Sequence, residues 1–237
     1  INHNTLGKHR MNMIFIVILL LNQEESMESY KITKQNKLIR ISKKADYSKE
    51  TIHAIIDEAL FCHLGIIHDG KPVVIPTIHA RMGNDLIFHG SSASRLIKSS
   101  HNTDMCVTIT LMDGLVLARS HFNSSMNYRS VVLFGQGEMI TDEIERMDAF
   151  EAITEHIAPG RWNDARQPNQ IELKQTAVLK MPIDEASAKI SSKFPEDETE
   201  DYDLNVWAGI IPINQTFGES KDDPQLKDGI DLPEYLK

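Results

Sequence analysis

The chain has 237 residues, 41% of them hydrophobic, which suits one well-cored domain or two small ones and excludes a disordered or coiled-coil composition. Lys and Arg number 25 against 34 Asp and Glu, so the formal charge is −9 and nucleic acid is not expected as a partner. Cys62 and Cys106 each sit in an apolar, strand-like run with no C-x-x-C pattern, as expected of buried thiols in a reducing compartment.

At the N-terminus an apolar run, Met13 to Leu21, follows Lys8, His9 and Arg10. It is shorter than the roughly 20 residues needed to span a bilayer, and NQEESMESY after it lacks a small-x-small cleavage site. The expectation is that the natural product starts at Met27, that residues 1–26 are upstream sequence rather than a signal, and that the protein is cytoplasmic with no membrane partner. Lys31 to Ser48 is polar and basic with little period and reads as an extended lead-in. Ser48 is a good N-cap, and Ile52, Ile55, Ile56, Ala59 and Leu60 recur at helical spacing, predicting a first helix.

Phe61–Ile67 and Val73–Ile78 are β-rich runs separated by Asp69-Gly70, a hairpin signal, and Gly83-Asn84 marks a second hairpin between Ile78–Arg81 and Leu86–His89. Further strands are predicted at Met105–Leu111 and Leu115–Arg119, joined by Met112-Asp113-Gly114, and at Val131–Ile140. So many short strands at hairpin spacing predict an antiparallel sheet that closes or nearly closes on itself. A helix opening at Thr141 or Asp142 carries the stripe Ile144, Met147, Phe150, Ile153 and Ile157 and stops at Pro159-Gly160; it should pack on the barrel. Ile171–Met181 reads as a long strand, Ile183–Ile190 as a short polar helix, Glu196–Asp203 as a solvated acidic loop, and the segment after Pro212 as a loosely packed tail.

One stretch carries chemistry. In DLIFHGSSASRLIKSS, Asp85 to Ser100, a strand runs through Gly90 and several serines into a short basic helix with Arg95 and Lys98. Free N–H groups at a helix start, the helix dipole, hydroxyls and a guanidinium fork together suit a phosphate, although the same pattern also describes an N-cap and a solvated face.

The order of PVVIPTIHARMGNDLIFHGSSASRLIKSS, VTITLMDGLVLARS, NYRSVVLFGQGEMI, PGRWNDAR, SAKI and WAGIIPI resembles the pyridoxamine 5′-phosphate oxidase-related, FMN-binding split-barrel proteins, and within them the nitroimidazole-resistance (Nim-type) branch. The resemblance covers Thr33 to Ile213. It implies a mainly β fold with flanking helices, a six-stranded antiparallel split barrel over residues 27–213 followed by a tail at 214–237, and a homodimer with FMN in clefts lined by both subunits. Thr77, His79 and Arg81 are then candidates to line the flavin, and His89, Gly90, Ser91, Ser94, Arg95 and Lys98 to hold its phosphate.

Arg129, in NYRS, is read either as reaching the flavin or an acidic substrate or as a surface residue, and Trp207 either as a wall at the flavin edge or as core. His79 is the candidate catalytic proton donor; the alternative for His79 and His89 is a satisfied structural histidine. The basic phosphate signature and arginine-rich end of authentic pyridoxamine 5′-phosphate oxidases have no clear match, so vitamin B6 oxidation is not expected. The expected activity is FMN-dependent oxidoreduction of a small molecule, nitroaromatic or quinone-like; the alternative is non-catalytic binding of FMN, or of haem through a histidine such as His79. No metal site is expected from the scattered histidines.

Overall fold

The computed structural model describes residues 28–237, the side chains of Arg95 and Leu96 excepted, so the expectations for residues 1–26 lie outside the described residues. Helix α1 (Lys49–Glu58) starts where Ser48 accepts the Thr51 N–H, and it buries Ile52, Ile55 and Ile56 at the predicted spacing. Strands β2 (Phe61–His68) and β3 (Lys71–Met82) form the first expected hairpin, pairing Phe61 with Ile78 through His68 with Lys71. Its turn places Asp69 at φ 50° and Gly70 at φ 71°, the left-handed pair that matches strand twist. β3 then pairs through Arg81–Leu86 with β4 (Asp85–Ser91), turning at Gly83 with φ 63°.

The short helix α2 (Arg95–Ser100) leads into β5 (Asp104–Leu117) and β6 (Ser125–Gln136), after which β7 (Glu138–Met139) precedes helix α3 (Glu143–Ile157). The one-turn helix α4 (Arg161–Asp164) and helix α5 (Gln170–Gln175) come before β8 (Thr176–Pro182), β9 (Glu185–Ser191) and β10 (Gly209–Pro212). The short β1 (Ala45–Asp46) pairs with β9. One antiparallel sheet of ten strands runs in the order β1-β9-β6-β5-β2-β3-β4-β8-β7, with β10 added alongside β5. This is the expected split barrel with more strands than the six the resemblance implies, and its hydrogen-bonded path stays open at both ends instead of closing.

Inside the curl of the sheet, Leu64, Phe88, Val107, Leu133, Leu179 and Met181 form the centre of one dry core drawn from both halves. On the outside, α3 covers only the β3-β4-β8 half, through Ala149, Phe150, Ala152 and Ile153 against Ala80, Ile87 and Val178. The predicted stripe is therefore shorter than expected: Ile144 is 74% exposed and Ile157 40%, because the ends of the helix overhang the sheet.

Five expectations along the chain are corrected. Met105–Leu111 and Leu115–Arg119 are not two strands joined by a turn; β5 is continuous, and a bulge at Asp113 absorbs the extra residue. β6 begins six residues before the expected Val131 and ends at Gln136. The first part of Ile171–Met181 is helix α5, started by a capping box between Asn169 and Glu172. Ile183–Ile190 is mostly strand β9, in which Ala186, Ser187 and Ala188 are buried against β6. Nor is the acidic loop wholly solvated: the Asp197 side chain is fully enclosed and accepts the amide N–H groups of Arg119 and Ser120.

Gly137, between β6 and β7, ties the end of α2 to the sheet. Its carbonyl accepts the Asn102 N–H at 2.7 Å, and a Cβ there would collide with the Ser100 carbonyl oxygen. Gly137→Ala is expected to lower stability by about 1–3 kcal/mol, seen as a lower urea midpoint with an unchanged slope; an unchanged midpoint would show that the α2 end moves aside at no cost.

Candidate functional site

The serine-rich turn lies where β4 gives way to α2. Ser91 Oγ accepts the Ala93 N–H, its carbonyl accepts the Ser94 N–H, and the Ser92 N–H donates to Gln175 O at 2.9 Å, fixing the turn against α5. Ser94 is the N-cap, its hydroxyl accepting from the Ile97 N–H. That engagement and a helix of only six residues leave little dipole or free Ser94 hydroxyl for an anion, so the helix-dipole part of the sequence argument does not carry over. Ser91 and Ser92 are exposed, and so is Lys98, which makes no ion pair with a described residue. A Cβ at Gly90 would meet Ile97 at ordinary contact distance, so the turn does not require glycine there. Half-buried His89, just before it, has an Nδ1 enclosed without a partner, and burial lowers its pKa. The Arg95 side chain lies outside the described residues.

The flavin-lining candidates are not gathered there. Thr77 is half-buried on β3, its hydroxyl donating to the adjacent Ile78 carbonyl. His79 is fully buried: Nε2 donates to the Ile56 carbonyl of α1 at 3.0 Å, and its ring lies 5.2 Å from that of His156. Burial pulls its pKa down to about 4, against the hydrogen bond to Ile56, and the neighbouring His156 adds to the fall. The ring is fully buried, but its Nδ1 is enclosed without a partner, so it is not the satisfied histidine of the alternative reading.

Arg81 is spent on a two-point bond to Asp57 of α1, at 2.9 and 2.6 Å, and a third to Gly83 O. Arg129 is likewise clamped between Glu58 and Asp113, whose hydrogen bonds raise its pKa further. Trp207 is 63% exposed just before β10, so it is not core.

Clefts flank the sheet, two of which carry charged walls. One of about 650 Å³ is bounded by Glu58, Met112, Asp113, Arg129, Ile213 and Phe217; Arg129 faces two carboxylates there, leaving no surplus cation. The other, about 470 Å³, has Asp104, Glu138, Asp184 and Glu185 on its walls and would repel an anion. Neither of these clefts is bordered by residues 91–98, of which Ser91, Ser92, Ala93 and Lys98 are exposed.

What remains uncovered is the outer face of the β2–β3 hairpin. The cross-strand pairs Phe61–Ile78, His63–Pro76 and Gly65–Val74 all face away from the core, with Phe61, His63, Val74, Pro76 and Ile78 exposed. This face was not singled out from sequence, although the period-two alternation in CHLGII and VVIPTI was the available signal. Cys106 lies on this outer face beside Gly65, whereas Cys62 is buried in the core and its thiol pushed up to about 12, so the two cannot pair.

The architecture is that of a split β-barrel protein. Residues 48–190 match the family model described as pyridoxamine 5′-phosphate oxidase, and the chain belongs to that family. No curated protein sequence matches it. Among solved structures, the flavocytochrome Anf3 from Azotobacter vinelandii is 37% identical with a TM-score of 0.82, over 86% of this chain and 95% of that one. An FAD- and haem-binding protein from Mycobacterium smegmatis is 32% identical with a TM-score of 0.78, over 81% and 95%. A candidate 5-nitroimidazole antibiotic resistance protein from Bacteroides thetaiotaomicron is 26% identical with a TM-score of 0.53, over 62% and 86%.

His79 makes stability depend on pH. Its folded pKa of about 4 lies below the ordinary 6.5, so its contribution is complete above pH 6.5 and is lost as pH falls toward 4. The loss amounts to about 3 kcal/mol. His79→Gln, which can still donate to Ile56, should lose less stability than the native chain between pH 7 and pH 4.5 in urea titrations; equal losses would contradict the assignment.

Proposed function

We propose that the protein is a flavin- and haem-binding redox protein acting on a small oxidised molecule. The observation that carries this reading is the match, over nearly their whole lengths, to a flavocytochrome and to an FAD- and haem-binding protein. A bound flavin supplies one- and two-electron transfer, and haem supplies one-electron transfer. The chain's own part is to hold, orient and shield.

The flavin phosphate fits the β4–α2 turn, where the Ser91 and Ser92 side chains and the Lys98 ammonium are exposed and Ser91, although it accepts the Ala93 N–H, keeps its own O–H to donate. FMN is the flavin expected there, and FAD presents a phosphate of the same chemistry. Because this turn is open, a second subunit is needed to wall the isoalloxazine. The exposed Trp207, Ile211, Ile213 and Phe217 along β10 and the tail support a homodimer. Nitroaromatics and quinones are the acceptors to try first. A cytoplasmic setting belongs to this reading and is supported by two unpaired thiols; no described helix is long and apolar enough to cross a membrane.

Loss of a charge-assisted or hydroxyl contact to phosphate costs about 1–3 kcal/mol. Lys98→Ala and Ser92→Ala should therefore each weaken FMN or FAD binding about tenfold, read by quenching of flavin fluorescence, without moving the urea midpoint. Native affinity in both variants would remove the phosphate from this turn.

A further inference from the structure

We propose that Ser99 is a nucleophile, with His68 as its base and Asp69 as the group that orients the base, and that this surface triad accepts an acyl group from an activated ester. The proposal stands apart from the flavin and haem reading, since it uses neither cofactor.

The three side chains meet where the end of α2 packs beside the β2–β3 turn. Ser99 Oγ lies 2.7 Å from His68 Nδ1, and an Asp69 carboxylate oxygen lies 3.5 Å from His68 Nε2. A carboxylate facing Nε2 favours the tautomer that carries its proton there, which leaves the Nδ1 lone pair to accept the Ser99 O–H. A hydroxyl, an imidazole and a carboxylate in that order form the arrangement that activates a weak nucleophile. Tyr30 and His53 make another hydroxyl–imidazole pair, but no ion pair with a described carboxylate completes it.

The fold holds each member from a separate point. Asp69 takes φ 50° and Gly70 φ 71° in the tight turn, which sets the carboxylate directly after the base. His68 ends β2 and is paired with Lys71 of β3. Helix α2 is anchored through Ile97 and Ser100, both buried, while Ser99 is half-buried at the margin. The His68 side chain is 34% exposed, so an ester reaches the pair from solvent. Lys98, beside Ser99 in α2, and Lys71, opposite His68 on the hairpin, are exposed and make no ion pair with a described residue. Their ammonium groups give this edge the positive charge that a carbonyl oxygen turning anionic requires.

In the reaction, Ser99 Oγ bonds to the carbonyl carbon as its proton passes to His68 Nδ1. The carbonyl oxygen becomes an oxyanion and returns to C=O when the ester C–O bond breaks, the leaving oxygen taking the proton from His68. Water then attacks the acyl-serine, its proton passing through the same nitrogen to Ser99 Oγ, and the acid is released.

The test treats the full chain with p-nitrophenyl acetate, following nitrophenol release by absorbance and locating acetyl groups by peptide mass before and after neutral hydroxylamine, which cleaves an acetyl ester on serine and spares an acetyl amide on lysine. A hydroxylamine-sensitive acetyl group on the Ser99 peptide is the expected result. Ser99→Ala should remove it, Ser99→Cys should keep an acylated side chain at that position, and Ser99→Ala and His68→Ala should each slow nitrophenol release by about tenfold or more. Asp69→Glu should retain more activity than Asp69→Asn, although asparagine suits the left-handed turn better; the reverse order would overturn the orienting role of Asp69. Acetyl groups found on lysines alone, or a native release rate in Ser99→Ala, would overturn the proposal as a whole.

Discussion

The sheet is held as one body by a ladder of three residue pairs. β2 and β5 pair at His63–Thr108, Leu64–Val107 and Gly65–Cys106, and the path of paired strands between the β3-β4-β8 half and the β6-β9 half passes through them. The approach is tight at Gly65, where a Cβ would lie 3.3 Å from the Cys106 carbonyl oxygen. The register also fixes the faces. With Leu64 and Val107 turned into the common core, His63, Thr108, Gly65 and Cys106 must turn outward. A slip of one residue would bury the histidine and expose the leucine. The same three pairs thus decide the continuity of the core and the composition of the uncovered face.

Charge placement separates the scaffold from its open surfaces. Arg81 and Arg129 anchor the two carboxylates near the end of α1, Asp57 and Glu58, to β3 and β6, so the helix that closes the core is pinned by two guanidinium forks. These pairs are partly exposed and each adds little net stability; their effect is on orientation. Lys98, beside the serine turn, makes no ion pair with a described residue, and His63, on the apolar face, makes no hydrogen bond with one.

Local signals carried the hairpins and the two long helices, because Asp69-Gly70, Gly83-Asn84, Ser48 and Asp142 act through their own backbone neighbourhoods. The family and its split barrel were also legible, through the order of several motifs. What escaped was settled by distant partners. β9 reads as helix because Ala186, Ser187 and Ala188 carry no β preference of their own; burial against β6 selects the strand. The partners of Arg81, Arg129 and His79, namely Asp57, Glu58, Asp113 and Ile56, approach only in the folded chain, so these bonds could not be read from the sequence. The start of α5 could have been found, since Asn169-Gln170-Ile171-Glu172 is a capping-box pattern.

The most direct measurement is the absorption spectrum of the full chain as purified, with the released ligands identified. Flavin bands and a Soret band from one protein, each ligand near one per chain, are the predicted result. A colourless protein that takes up neither FMN, FAD nor haem on titration would contradict the account, leaving a split barrel whose open faces serve something other than redox cofactors.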